Sequence, residues 1–141
     1  MRSSRASLFL MELMISILFF SLSSAVCIQL FVKAHAINET TEDISKATLI
    51  AQDICEYFHY ANGDKAQMLS YYNEYEESDD NIVLFFSKNR TICPKAEARY
   101  TVILSFEQNL SYHILNLDIH RMDKSDSLYQ STIKKYVQDT L

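Results

Sequence analysis

The stretch "RASLFLMELMISILFFSLSS", residues 5–24, decides how this chain is organised. From Leu8 to Val32, 25 residues in all, the only formal charge is Glu12. As a helix that run rises about 37 Å, enough to cross a hydrocarbon core of ~30 Å. A carboxylate near a bilayer centre costs about 2.5–3.5 kcal/mol on insertion scales, so Glu12 demands a compensating interaction. The preceding residues, "MRSSRAS", carry Arg2, Arg5 and the terminal amine with no acid. Positive charge flanking a first span stays in the cytoplasm, which places the chain from about residue 37 outside.

Three readings of this segment compete. A cleaved secretory signal has its basic and apolar regions here, with small residues at Ser23 and Ala25, so the mature chain would begin at Val26. Against it, "VCIQLFVKAHAIN" stays helical and apolar past Ala25. A plain signal anchor leaves Glu12 unexplained. The third reading cuts between Ser7 and Leu8, which frees an α-amino group on Leu8. Glu12 lies four residues on, one helical turn away on the same face. A carboxylate there also suits the helix dipole. In a staggered bundle, Glu12 of one subunit neutralises the Leu8 amine of the next, and its burial becomes a registry device.

The residues "ASLFLMELMISILFF" resemble the N-terminal signature of type IV pilins and of the pseudopilins of type II secretion and competence systems. The resemblance implies cleavage by a prepilin peptidase at Ser7/Leu8, N-methylation of Leu8, and an assembly role for Glu12, which matches the family's glutamate at the fifth mature position. It further implies other pilins or pseudopilins as partners in a homo- or hetero-oligomeric filament, with an assembly ATPase and a platform protein in the membrane. Ser7 stands where the family usually has glycine, and Leu8 where it has phenylalanine or methionine. The mid-helix proline of many pilins is absent.

Beyond Lys33 the helical period continues. Ile37, Ile44, Ala47, Ala51, Ile54 and Phe58 recur at helical spacing, while Glu39, Glu42, Asp43, Lys46 and Asp53 fall between them. One helix from Leu8 to about Tyr60 is therefore expected, its distal half offering one apolar face. Gly63 is the expected stop, and Asp64 the cap of a short second helix. The acidic run Glu74–Asp80 reads as a solvated loop, without calcium-loop spacing. Four strands are expected at 81–86, 99–108, 110–122 and 127–137, with Tyr100, Val102, Leu104 and Phe106 on one face and Leu115, Leu117 and Ile119 on one side. The fold class is thus α+β: a long N-terminal helix, membrane-spanning in its first half, packed on a small antiparallel sheet in a pilin-like roll. The expected division is a leader at 1–7, a membrane and filament-core helix at 8–33, and a soluble domain at 34–141.

Cys27 lies in the apolar helix; an exported domain meets an oxidising space, so a Cys55–Cys93 bridge is the expectation and two free thiols the alternative. The four histidines have no metal spacing, and neither a nucleophile elbow nor a paired-carboxylate motif is present, so no metal, cofactor or enzymatic activity is expected. With one glycine and one proline there is no glycine-rich phosphate loop, and the net charge of −5 argues against direct nucleic-acid binding. The expected function is a structural filament subunit, a minor pilin or pseudopilin, anchored with its N-terminus in the cytoplasm and its domain outside, then assembled into a surface or periplasmic filament. The alternative is a secreted or single-pass anchored binding module whose sheet face presents Tyr71, Tyr72 and Tyr75.

Overall fold

The computed structural model describes residues 2–137; Met1 of the expected leader and residues 138–141 of the expected soluble domain lie outside them. Helix α1 spans Arg2–Tyr60, followed by α2 (Lys65–Leu69) and five strands, β1 (Glu76–Ser78), β2 (Asn81–Phe86), β3 (Tyr100–Gln108), β4 (Tyr112–Arg121) and β5 (Ser127–Tyr136). The chain divides into two compact units, residues 1–41 and 42–141. The architecture is α+β, a long N-terminal helix packed on an antiparallel sheet of order β1-β2-β3-β4-β5.

In the second unit α1 presents Asp43, Ala47, Ile50, Ala51, Ile54 and Phe58 as one buried stripe at three- and four-residue spacing. This corrects the expected stripe: Ile37 and Ile44 are exposed, and Ile50 and Asp43 are buried in the seam. The sheet answers with alternate residues, so that Ile82, Leu104 and Leu117 form one cross-strand row, and Leu84, Val102 and Ile119 the next. Leu115 and Ile133 extend this face onto β5.

The helix ends where the sequence calls for it, but by a two-residue device. Asn62 (φ +52) and Gly63 (φ +78) both adopt left-handed backbone; Gly63 N–H donates to Phe58 O at 2.9 Å and Asn62 N–H to His59 O at 3.1 Å. That is the Schellman pattern, which satisfies otherwise orphaned helix carbonyls. Asp64 caps α2 as expected, its carboxylate accepting from Ala66 N–H at 2.9 Å.

The sheet has five strands where four are expected. Glu76–Ser78, read as loop, pairs with β2 through Glu76–Val83 and Ser78–Asn81. Acidic residues are weak strand formers, yet β2 offers a paired edge and the two-residue turn Asp79–Asp80, with Asp79 at φ +51, folds the chain back onto it.

Candidate functional site

In the first unit, α1 carries the residues on which the filament reading rests. Every large apolar side chain from Leu8 to Val32 is at least 46% exposed, with Phe20 at 74% and Phe31 at 76%. The hydroxyls of Ser16 and Ser21 are satisfied internally, donating to the carbonyls of Glu12 and Ile17 at 2.9 Å each. Glu12 is the exception: among the described residues its carboxylate makes no ion pair, and it lies among Leu8, Met11, Ile15 and Ser16. Leu8 and Glu12 thus share a face one turn apart. The Ser7–Leu8 bond is exposed and helical.

The second unit contains a polar centre built around Asp43, a residue expected between the stripe positions. Asp43 is 3% exposed. Its Oδ1 accepts from Tyr100 Oη–H at 2.6 Å and from the Arg99 guanidinium at 3.3 Å, while Oδ2 accepts from Arg121 Nη1 at 2.9 Å. Arg121 also grips the exposed Asp123. The β3–β4 register makes this possible, because Tyr100 and Arg121 are direct cross-strand partners beside the helix. Burial alone would push the Asp43 carboxyl up, but the hydrogen bonds from Tyr100, Arg121 and Arg99 outweigh it and hold the carboxyl below its ordinary range. Tyr100 is driven the other way, to about 12, first by burial and then by its bond to the carboxylate. The signal was available: Asp43 precedes Ala47 by four residues, which puts it in the apolar stripe.

The expected Cys55–Cys93 bridge is not formed; Cys27, Cys55 and Cys93 are free thiols. Sheet alternation gives the reason. Ile92 bridges to Phe86 and packs on the helix-facing core, so Cys93, bonded through its N–H to Phe85 O, belongs with Phe85 to the opposite face. Cys55 borders the helix-facing core. Burial raises the pKa of both thiols.

The tyrosines of the binding-module alternative are not on the sheet. Tyr71, Tyr72 and Tyr75 lie between α2 and β1, where Tyr71 stacks on Tyr57 at 5.0 Å and Tyr72 meets the same ring edge-on at 5.6 Å. Tyr72 is buried with its hydroxyl unbonded among the described residues, while Tyr71 and Tyr75 are exposed. As the alternation along β4 predicts, His113 and His120 take opposite faces: His113 Nδ1 is 2.8 Å from Gly63 O, and His120 Nε2 is 3.1 Å from Asp118.

Comparison with protein-family models, curated proteins and solved structures finds no match to this chain.

Proposed function

We propose that the chain is a structural subunit of a type IV pilin-like filament, a minor pilin or pseudopilin. It is cut between Ser7 and Leu8 by a prepilin peptidase, methylated on Leu8, held in the membrane by α1 and then packed into a helical core. The observation that carries this reading is the placement of Leu8 and Glu12 one turn apart on the run from Leu8 to Val32, which is otherwise uncharged and whose large apolar side chains are all exposed. Such a surface must be covered by lipid or by other helices, because apolar area left in water is unfavourable by about 25 cal/mol per Å². Lipid alone leaves the Glu12 carboxylate costly, whereas a neighbour's freed amine cancels its charge. The subunit's work on this reading is mechanical and needs no catalytic group or cofactor; the peptidase, the ATPase and the platform protein act on it.

The test separates insertion from assembly. Glu12→Leu removes the charge and keeps an apolar side chain, so membrane insertion should be retained while incorporation into filaments falls. Unchanged incorporation of the variant contradicts the registry role.

A further inference from the structure

Among the described residues the sheet has two edge strands, β1 and β5, of opposite charge. At one end β1 and its neighbours carry Glu74, Glu76, Glu77, Asp79 and Asp80, all exposed. At the other, β5 pairs with β4 alone among the described strands and ends in Lys134 and Lys135. Among the described residues Glu76, Asp79, Asp80, Lys134 and Lys135 have no ion-pair partner within the chain, whereas Glu77 is taken by Lys65 at 3.2 Å. An open strand edge presents unpaired N–H and C=O groups that another strand can complete.

The registers set the relative heights of the two edges. Glu76 is in line, through Val83, Ile103 and Asp118, with Gln130; Ser78 is in line, through Asn81, Ser105 and Asn116, with Thr132. The Asp79–Asp80 turn therefore projects past Thr132 to the level of Ile133 and Lys134. Because each strand is antiparallel to the next, β1 and β5 run in the same direction. A second copy placed so that its β1 continues the twisted sheet in parallel beside the first copy's β5 brings its acidic turn against the first copy's lysines.

We propose that β5 of one copy docks on β1 of a second copy, in parallel, with Gln130 to Thr132 beside Glu76 to Ser78 and with Lys134 and Lys135 facing the Asp79–Asp80 turn. The contact is head-to-tail, so each copy keeps one free edge and the sheet continues from subunit to subunit. It uses the second unit alone.

Zero-length carbodiimide coupling of lysine to carboxylate tests this on the full chain reconstituted in liposomes. Edges four strand spacings apart, about 19 Å, cannot couple within one chain. Mixing isotopically heavy and light chains confirms which links are intermolecular. The expected result is links from Lys134 or Lys135 to Asp79 or Asp80. They should fall about ten-fold in Lys134→Glu/Lys135→Glu, because like charges then oppose each other, and fall similarly in Asp79→Lys/Asp80→Lys. Combining the four substitutions should restore coupling with the chemistry reversed, which a merely unfolded variant would not do. Absence of these links, links unaffected by charge reversal, or dominant Lys135–Lys135 links under an amine-to-amine reagent would overturn the proposal.

Discussion

Arg121, at the end of β4, reaches back 78 residues to donate from Nη1 to Asp43 Oδ2 at 2.9 Å. The contact pins the helix to the sheet at one end of the second unit, and Tyr100 and Arg99 converge on the same carboxylate. Its surroundings are asymmetric: Asp43 is sealed, whereas the Arg99 side chain is 34% exposed. Water can therefore relieve Arg99, but not Arg121 or Tyr100 as readily, when the acid is lost.

Asp43→Ala should destabilise the second unit by about 2–4 kcal/mol, somewhat under the cost of breaking a fully sealed pair because Arg99 can rehydrate. Urea unfolding of the full chain in detergent, followed by tyrosine fluorescence, reads this directly. The pH dependence has a definite sign. Asp43 is held below its ordinary value in the fold, so on acidification the unfolded chain takes up the proton first. The stabilisation is whole above about pH 4, the unfolded value, and is lost as pH falls through the lower folded one. Asp43→Asn should flatten this acid limb without abolishing it, since Asp118 and Asp123 are also lowered.

Gly63 admits no side chain. A Cβ there would sit 2.7 Å from His113 Cβ and 2.8 Å from its Nδ1, on backbone at φ +78. Gly63→Ala should cost more than about 2 kcal/mol, combining left-handed strain with displacement of the His113 ring from the Gly63 carbonyl. His113→Gly should cost less in the Gly63→Ala background than in the parent chain in the same unfolding assay, since losing both the His113 Cβ and the ring removes the overlap while the left-handed strain remains.

Thiol titration of the denatured chain should count three cysteines whether or not a reductant is added beforehand. A count of one without reductant and three with it would place a bridge between two of them. In the native chain Cys93 should react slowly, because it is buried and its pKa is raised, first by burial and then by Glu97 and Glu74.

What the sequence made legible follows from the strength of each local signal. The long helix, its end near Tyr60, the Asp64 cap and strands β2 to β5 all rest on periodicity or capping, which act within a few residues. Strand β1 was hidden because its acidic residues have no strand preference of their own and depend on β2. The Asp43 centre is hidden for a related reason: a charge argues for exposure, whereas the residue's position in the stripe argues for burial. Its partners Arg99, Tyr100 and Arg121 lie 56 to 78 residues away, and no local pattern brings them together. The bridge expectation failed on facing, because the pairing of Ile92 with Phe86 assigns Cys93 to the far side of the sheet.

The account stands or falls on where the mature chain begins. Intact mass and N-terminal sequencing of the protein isolated from the cells that make it would settle this. A start at Leu8, with the 14 Da of one added methyl group on its amine, is the predicted result. A start at Val26, or a chain retaining Arg2 and Arg5, would contradict it and leave Glu12 without its counter-charge.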